Sequence, residues 1–187
     1  TVWSIADLVA RQMIGNDADQ YLHGSEAGDT IDAGYGNDIV YGHQGDDTLA
    51  GGDGDDVIDG GAGNDLLDGG EGSDVFVFAR GGGRDQVVSR DEYGQYYDVV
   101  QFADGVSPSD VSIRRIGTDL VLGIAGGEDR LTVKSFFPQD PANGWPDEFF
   151  YSNNFTHEEV TDFVTKMVSA ALDGYYSIFV NNLHHGQ

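Results

Sequence analysis

Aspartate recurs every nine residues between residues 15 and 77, and this spacing is the pattern in the sequence with the clearest chemical meaning. The aspartates stand at the sixth position of successive nonapeptides. They are Asp29, Asp38, Asp47, Asp56, Asp65 and Asp74. Carboxylate and main-chain carbonyl oxygens are hard donors, and Ca²⁺ prefers such donors. The spacing therefore predicts a row of calcium sites.

Glycine occupies the first, second and fourth positions of the clearest nonapeptides, which fit the pattern G-G-x-G-x-D-x-U-x with U a large apolar residue. These copies are GGDGDDVID, GGAGNDLLD and GGEGSDVFV at residues 51–59, 60–68 and 69–77. Looser copies at 24–32, 33–41 and 42–50 keep the aspartate and the apolar residue, whereas the copy at 15–23 has Gln20 in place of the aspartate. Glycine permits a tight turn with positive φ and leaves its carbonyl accessible to a metal. The glycines predicted to line the metal turns are Gly34, Gly36, Gly42, Gly45, Gly51, Gly52, Gly54, Gly60, Gly61, Gly63, Gly69, Gly70 and Gly72.

The eighth position of every copy is apolar, and positions seven to nine are predicted to form a short strand with one inward side chain. The residues at this position are Leu22, Ile31, Val40, Leu49, Ile58, Leu67 and Phe76. Since side chains alternate between the two faces of a strand, one apolar residue per copy predicts a thin apolar core along a coiled sheet.

The repeats resemble the nonapeptide array of RTX (repeats-in-toxin) proteins, the haemolysin-type calcium-binding repeat. The resemblance implies a mainly β protein, a right-handed parallel β-roll in which two repeats make one turn and calcium lies between same-side neighbours. It implies one row of ligands at Asp29, Asp47 and Asp65 and a second row at Asp38, Asp56 and Asp74. About four to six Ca²⁺ ions are expected, with the outermost sites weakest because Ala27 and Ala33 replace glycines.

The charge of the chain is strongly acidic, with a formal net charge of −24. Residues 15–77 carry 16 acidic residues and no lysine or arginine. This composition excludes a nucleic-acid binder, which needs a basic surface to neutralise phosphate. Because burial of one apolar side chain per repeat does not offset the conformational entropy of ordering the array, we expect calcium binding to provide the free energy of folding. Without metal, the acidic array is expected to be disordered.

The organisation predicted from the sequence has three parts: an N-terminal cap segment at residues 1–14, the β-roll at 15–77 and a C-terminal capping or flanking region at 78–187. The last part has an ordinary composition and contains three alternating strand patterns, at 111–116, 119–124 and 130–136. We expect these strands to form an antiparallel β capping region. Its D-x-V-x-F, D-L-V-L and L-T-V strands resemble the domain that follows many haemolysin-type arrays.

Near the C-terminus, the segment beginning at Thr156 reads as a capping box followed by apolar residues at helical spacing, which predicts a helix that ends at Gly174. Aromatic residues concentrate in this part of the chain. We interpret them as packing over the open end of the roll, since a solenoid needs caps. The alternative is a ligand or receptor groove lined by Trp145, Tyr175 and Tyr176.

No catalytic motif emerges from the sequence, and the chain is not expected to be an enzyme. Residues 157–161 read H-E-E-V-T and not H-E-x-x-H, and neither G-x-S-x-G nor a Walker loop occurs. The histidines His23, His43 and His157 are scattered and read as surface residues. We interpret Asp140-Pro141 as a turn, although some RTX proteins cleave themselves at such a bond.

Two functions remain from the sequence. The first is a calcium-induced folding and secretion module of a larger exported bacterial RTX protein, such as a toxin, an adhesin or a hydrolase. Its partners would be calcium, the type I secretion machinery and the rest of the parent polypeptide, and the C-terminal residues could include the secretion signal. The second is an adhesive or receptor-binding domain stiffened by calcium. The sequence has no cysteine, and no apolar run is long enough to cross a membrane, so no transmembrane segment is expected. The RTX resemblance implies a secreted, extracellular protein, which we expect to be monomeric.

Overall fold

The fold is a pair of β-sheets wound from the repeats, as shown by a computed structural model that describes residues 12–88, 98–136 and 176–179. From residue 12 to residue 102, consecutive strands alternate between the two sheets, so neighbouring strands of one sheet are separated in sequence by a strand of the other. The strands of the repeats pair in parallel, and the result is a parallel β-solenoid of about four turns. The predicted β-roll is thus confirmed.

Fourteen strands are described. They are β1 (Gln12–Asn16), β2 (Tyr21–His23), β3 (Thr30–Tyr35), β4 (Ile39–Tyr41), β5 (Thr48–Asp53), β6 (Val57–Asp59), β7 (Leu66–Glu71), β8 (Val75–Phe78), β9 (Arg84–Val88), β10 (Val99–Phe102), β11 (Val111–Ile116), β12 (Asp119–Ile124), β13 (Arg130–Val133) and β14 (Tyr176–Phe179). A turn of 3₁₀ helix occupies Pro108–Asp110. The order is β1-β3-β5-β7-β9-β13-β12-β11 in the eight-stranded sheet and β14-β10-β8-β6-β4-β2 in the six-stranded sheet.

The core lies between the two sheets and consists of the eighth-position side chains. In the eight-stranded sheet Ile31 pairs with Leu49, and Leu49 with Leu67, each step covering two nonapeptides. These residues are at most 1% exposed, as are Val40, Ile58 and Phe76 of the other sheet. Leu22 is only half-buried at the N-terminal end, where one neighbouring turn fewer covers it. The predicted apolar core is therefore present, with its first member incompletely covered.

Parallel pairing continues beyond Val77, where the nonapeptide period ends. The strand β9 adds to β7 with Leu67 opposite Val87, and β10 adds to β8 with Phe76 opposite Val100. Longer loops replace the turns of the repeats, so the separation between partners in successive turns grows from 18 to 20 and 24. The apolar core residue is retained at each step, which explains why the sheets extend although the sequence repeat does not.

The strands that follow join the ends of the same two sheets. The strand β13 pairs in parallel with β9. The strand β12 then pairs antiparallel with β13, and β11 pairs antiparallel with β12. In the six-stranded sheet β14 pairs antiparallel with β10. The predicted antiparallel capping region is corrected on this point, because β13 continues the parallel sheet and no separate antiparallel sheet forms among the described residues. The physical reason is that β9 presents unpaired backbone groups and an apolar inner face, which β13 covers with Leu131 and Val133.

Several predictions fall on residues outside the described part of the chain. These are most of the N-terminal cap segment and the helix expected from Thr156. Among the described residues, no helix has the length and apolar character needed to cross a membrane.

Candidate calcium-binding site

The aspartates of the repeats form two hydrogen-bonded rows, one on each side of the solenoid. In the first row, Asp29 N donates to Asp47 Oδ1 at 2.6 Å, and Asp47 N donates to Asp65 Oδ1 at 2.9 Å. In the second row, Asp38 N donates to Asp56 Oδ1 at 2.7 Å, and Asp56 N donates to Asp74 Oδ1 at 2.9 Å. Gln20 donates its backbone N–H to Asp38 Oδ1 at 2.7 Å, so it starts the second row without adding a carboxylate. The two rows have the membership that the RTX resemblance implied.

The second oxygen of most of these carboxylates is buried without a hydrogen-bond partner. This holds for Oδ2 of Asp38, Asp47, Asp56, Asp65 and Asp74. All five residues are at most 2% exposed. A buried carboxylate oxygen with no partner is costly, and in native proteins such an atom calls for an unseen cation or water. Five of them at a regular spacing favour a row of cations.

Asp29, the first member of its row, has a different environment. Its Oδ2 accepts hydrogen bonds from the backbone N–H of Ser25 at 2.5 Å and from the Ser25 hydroxyl at 2.9 Å. Ser25 stands at the second position of its repeat, where the clearest copies have glycine. This carboxylate is therefore satisfied by the protein itself, so any metal at Asp29 competes with Ser25.

The first-position glycines leave the space on which these oxygens converge. A Cβ placed on Gly42 would lie 2.3 Å from Asp47 Oδ2 and 2.4 Å from the carbonyl oxygen of Gly60. The carboxylate of one turn and a carbonyl of the next turn thus face the same space. Calcium takes six to eight oxygen ligands at about 2.3–2.6 Å, and this combination of carboxylate and carbonyl groups suits it. Gly51, Gly60 and Gly69 likewise approach the Oδ2 atoms of their own repeats.

The remaining predicted glycines shape the turns. Gly52 has φ of 114°, and a Cβ there would lie 1.9 Å from the carbonyl oxygen of Gly34. Positive φ is shared by Gly34, Gly36, Gly45, Gly52, Gly54, Gly61, Gly70 and Gly72. Gly63 lacks positive φ, but a Cβ there would lie 1.8 Å from the Gly45 carbonyl oxygen. A side chain at these positions would separate successive turns, which explains the glycines sterically.

Electrostatics within the rows oppose the charged state of the carboxylates. Burial is the main cause, and it raises the pKa of Asp47 to about 7, of Asp56 to about 6 and of Asp74 to about 8. The backbone hydrogen bonds lower these pKa values, whereas the charges of neighbouring aspartates raise them further. Burial also raises the pKa of Asp38 and of Asp65. A cation between the turns would remove this penalty.

The chemistry of the donors distinguishes the site from a transition-metal centre. No cluster of three or more histidine, aspartate or glutamate side chains suited to a metal ion occurs within residues 12–88 and 98–136. The oxygens that face one space at Gly42 are a carboxylate and a main-chain carbonyl. Such all-oxygen sets suit Ca²⁺, whereas Zn²⁺ favours nitrogen and sulfur ligands.

Two aspartates missed by the repeat pattern extend both rows. Asp65 N donates to Asp85 Oδ1 at 3.1 Å, and Asp74 N donates to Asp98 Oδ1 at 3.1 Å. Asp85 is 5% exposed and Asp98 is 1% exposed. Neither follows a G-G-x-G motif at the regular spacing, so the period could not identify them. One available signal was an aspartate followed by an alternating strand pattern, as in the repeats. Asp85 also follows Gly81 and Gly83, which stand where a repeat has its second and fourth glycines.

A second set of hydrogen bonds, at the fifth position of the repeats, was also missed. Asp46 Oδ1 accepts from Asn64 N at 2.9 Å, and Asp55 Oδ1 accepts from Ser73 N at 2.8 Å. Asn37 Oδ1 accepts from Asp55 N at 3.0 Å in the same way. These bonds run in the opposite direction to those of the buried aspartates, because the acceptor belongs to the earlier turn. They explain the preference for Asp and Asn at a position that the motif leaves open.

His23 and His43, which read as scattered in the sequence, meet on the outside of the solenoid. Nδ1 of His23 lies 3.1 Å from Nε2 of His43, so one nitrogen can donate to the other. The two rings are nearly parallel, with centroids 5.3 Å apart. His23 also stacks on Tyr41 with centroids 4.8 Å apart. Both histidines are exposed.

The alternative groove falls largely outside the described residues. Trp145 and Tyr175 are not described, and Tyr176 is described only as the first residue of β14. Asp140-Pro141 lies outside as well. The receptor-binding hypothesis therefore stays a prediction.

A parallel β-solenoid with rows of carboxylate and carbonyl oxygens between its turns defines a class of calcium-binding repeat protein. The comparison with protein families agrees: the model of the RTX calcium-binding nonapeptide repeat, which comprises four copies, matches residues 14–49 and 41–76. This segment of the chain consists of RTX nonapeptide repeats.

Two proteins are similar to parts of this chain. The iron-regulated protein FrpA of Neisseria meningitidis serogroup C is 40% identical over 100 residues, which are 53% of this chain and 9% of that protein. The chain thus spans less than a tenth of the length of this relative. The AlgE6R3 subunit from the Azotobacter vinelandii mannuronan C5-epimerase, known from its solution structure, is 29% identical in sequence to this chain. The match covers 64% of this chain and 72% of that subunit, with a TM-score of 0.28.

Proposed function

We propose that this chain is a calcium-dependent folding module of a larger exported bacterial protein, and that it has no catalytic role of its own. The observation that supports the proposal is the row of buried Oδ2 atoms without a hydrogen-bond partner, at Asp38, Asp47, Asp56, Asp65 and Asp74. Calcium bound between the turns would satisfy these atoms. The predicted aspartates and glycines are the ligands of this proposal.

Folding and metal binding are coupled in this proposal because the ligands of a site come from different turns of the solenoid. The Oδ2 of Asp47 and the carbonyl of Gly60 face each other only when successive turns are stacked. Burial of an unpaired carboxylate costs several kcal/mol, and the rows contain many. Binding free energy at a site that is absent from the unfolded chain becomes free energy of folding. Calcium therefore acts as the condition under which the solenoid forms.

Magnesium should not replace calcium. It requires near-ideal octahedral geometry at about 2.0–2.1 Å and gives up its water ligands reluctantly. Carbonyl and carboxylate oxygens fixed by the backbone of stacked turns cannot all contract to that distance. The larger and more flexible coordination sphere of calcium tolerates them.

The proposal includes export, because the calcium concentration differs between the two sides of a bacterial envelope. Extracellular calcium modules bind with Kd values of about 10⁻⁴ to 10⁻³ M, so a chain of this type stays unfolded inside the cell and folds outside. An unfolded chain can pass through the type I secretion machinery, the export route that the RTX resemblance implies. The matched repeats and the similarity to FrpA support an exported protein.

A calcium titration followed by circular dichroism tests the proposal. In chelator the chain should show little β structure, and millimolar calcium should produce it in a cooperative transition. The same concentration of magnesium should fail, for the geometric reason given above. A native β signal that persists after exhaustive removal of calcium would contradict the coupling of folding to metal.

A matched pair of variants separates ligand loss from charge loss. Asp56→Ala removes one negative charge and a buried oxygen without a partner, whereas Asp32→Ala removes one negative charge from the exposed face of β3. Asp56→Ala should raise the calcium midpoint by about tenfold or more, since a hydrogen bond to a charged group alone contributes about 1.5–3 kcal/mol. Asp32→Ala should leave the midpoint unchanged or lower it slightly. Equal shifts would argue against specific sites.

A further inference from the structure

Two histidine side chains meet on the outer face of the six-stranded sheet, near the N-terminal end of the solenoid. His23 is the last residue of β2, and His43 lies in the turn that follows β4. Since β2 pairs with β4, the two histidines belong to successive turns of the solenoid. His23 Nδ1 is 3.1 Å from His43 Nε2, and both side chains are exposed. Two imidazole nitrogens from different turns therefore face each other at the surface.

The backbone of His43 has a conformation that glycine provides in the other repeats. Its φ is 80°, and it stands at the second position of its nonapeptide. At the same position Gly52, Gly61 and Gly70 have φ of 114°, 90° and 103°. A side chain disfavours this left-handed conformation, and backbone strain of this kind concentrates at functional sites. The turn itself would be better served by glycine, so the strain directs attention to the imidazole.

Hydrogen bonds between turns fix the backbone on both sides of the histidine pair. The carbonyl of Tyr41 accepts the N–H of Gly24, the residue after His23, at 2.7 Å. The carbonyl of His43 accepts the N–H of Ala62 at 2.6 Å. The ring of His23 also stacks on that of Tyr41, with centroids 4.8 Å apart. The two nitrogens are thus held by stacked turns, which is the rigid support that a metal site needs.

The separation of the two nitrogens suits a shared transition-metal ion. Zn²⁺ binds histidine nitrogen at about 2.0–2.1 Å, so two such ligands at right or tetrahedral angles lie about 2.9–3.4 Å apart. The distance of 3.1 Å between His23 Nδ1 and His43 Nε2 falls within this range. Imidazole is a good ligand for Zn²⁺, Cu²⁺ and Ni²⁺, whereas Ca²⁺ takes oxygen ligands and should not compete for this pair.

A carboxylate beside the pair favours an added cation. Asp59 lies opposite Tyr41 in the register of β4 and β6. Burial raises the pKa of Asp59, whereas the N–H of Gly61 and the positive charge of His43 lower it. A metal ion at His43 would be attracted by the same carboxylate. Within the described part of the chain no third side chain joins the histidines in a three-ligand cluster, so water would complete the coordination.

We propose that His23 Nδ1 and His43 Nε2 bind one divalent transition-metal ion, of which Zn²⁺ is the simplest example, on the outside of the solenoid. The ion takes the place of the proton between the two nitrogens, and that proton is released to solvent. It ties β2 to the following turn. The repeat that contains β2 has Gln20 in place of the aspartate, so a second kind of metal would strengthen the turn that lacks a calcium-binding carboxylate. This site uses different ligands and a different metal from the calcium rows.

The test uses the full chain folded in saturating calcium, with Zn²⁺ as the probe. In ¹⁵N NMR of the histidine rings, Zn²⁺ should shift the resonances of His23 Nδ1 and His43 Nε2 together. His43→Gly removes one ligand and places glycine where φ is positive, so this variant should fold at the same or a lower calcium concentration. The affinity of His23 for Zn²⁺ should nevertheless fall by about tenfold or more, because the second ligand of the chelate is lost.

A second variant and a control complete the experiment. His23→Gln removes the other ligand without changing the turn at His43, and Zn²⁺ at the wild-type concentration should then no longer shift His43 Nε2. His157→Gln removes a histidine distant in sequence and should leave both shifts unchanged. Zn²⁺ should also raise the Tm of the wild type but not that of His43→Gly.

Two results would overturn the inference. One is the absence of any Zn²⁺-dependent shift of the His23 and His43 ring nitrogens in the wild type. The other is a wild-type Zn²⁺ affinity of His23 in the His43→Gly variant, because a single imidazole would then account for the binding.

Discussion

Five buried aspartates of the repeats, all except Asp29, use their two carboxylate oxygens differently. Oδ1 accepts a backbone N–H from the preceding same-side turn, as Asp56 does from Asp38 at 2.7 Å. Oδ2 lies near the first glycine of its own repeat and has no hydrogen-bond partner in Asp56 or in four others. One side chain can thus fix the register of two turns and also offer a ligand to a metal. This division explains why aspartate is required, since asparagine would retain the first role but weaken the second.

The pH dependence of the metal-free chain is a prediction at this scale. The folded-state pKa values of Asp47, Asp56 and Asp74 are raised to about 7, 6 and 8 from an ordinary value of 3.8. A raised pKa means that the folded state binds protons more tightly than the unfolded state does. The stability from protonation is therefore fully present below about pH 3.8 and is lost as the pH rises through 6 to 8.

In chelator, the β signal in circular dichroism should consequently increase as the pH is lowered from 8 to 5. Protons then take the place of calcium in neutralising the buried carboxylates. In saturating calcium the same change of pH should have a much smaller effect, and this titration is the control. A metal-free β signal that falls or stays constant between pH 8 and pH 5 would contradict this account.

At the scale of elements, the strands are short because the turns between them contain the ligands. Three residues, Val57, Ile58 and Asp59, form β6 and contribute one core side chain. So short a strand gains little stability alone, and its neighbours on each side provide the pairing. Each turn must lie as close to the turn of the next layer as the paired strands lie to each other, and only glycine allows this at positions such as Gly51.

Gly51→Ala tests this steric requirement. Its Cβ would lie 2.1 Å from Asp56 Oδ2 and 2.7 Å from the carbonyl oxygen of Gly69, so the turn must shift and the calcium midpoint should rise at least as much as in Asp56→Ala. Gly105→Ala is the comparison, because nothing lies within 4 Å of its Cβ although φ is 85°. That variant should cost only the backbone strain of about 1–2 kcal/mol. Similar calcium midpoints for the two variants would show that the close approach is unimportant.

At the scale of the whole molecule, the roll and the strands after it share both sheets. The eight-stranded sheet continues from β7 through β9 to β13, and the six-stranded sheet continues from β8 through β10 to β14. Phe78 and Phe102 pack against each other with ring centroids 5.9 Å apart, which extends the core beyond the repeats. The end of the nonapeptide pattern is therefore not an open end of the solenoid.

Truncation tests this continuity. A chain ending at residue 80 keeps all the sequence-predicted ligands but loses β9 and β10, which leaves β7 and β8 with unpaired edges and Asp65 N and Asp74 N without acceptors. It should need several times more calcium to fold, or should not fold. A chain ending at residue 136 keeps both strands and should resemble the full chain more closely in a calcium titration by circular dichroism. If residues 1–80 fold with the midpoint of the full chain, the later strands are dispensable for folding.

The sequence alone determined the repeats, their metal and their core. All three follow from the strict period. Residues equivalent to Asp56, Gly51 and Ile58 recur along the array, and each has the same kinds of residue beside it in the neighbouring copies. The inward position of Ile58 could therefore be predicted from the period. The resemblance to RTX repeats implied the two rows of aspartates and the parallel pairing between every second repeat.

Only the tertiary structure decided what happens where the period ends. Asp85 and Asp98 enter the rows through loops of irregular length, and β13 reaches β9 from a distant part of the sequence. These contacts depend on backbone groups left unpaired by the last turn and on Asp129 holding the loop at Gly81. The partners in these contacts are distant in sequence and occur once, so the period does not predict them. Periodicity predicts a solenoid, but its termination depends on tertiary contacts.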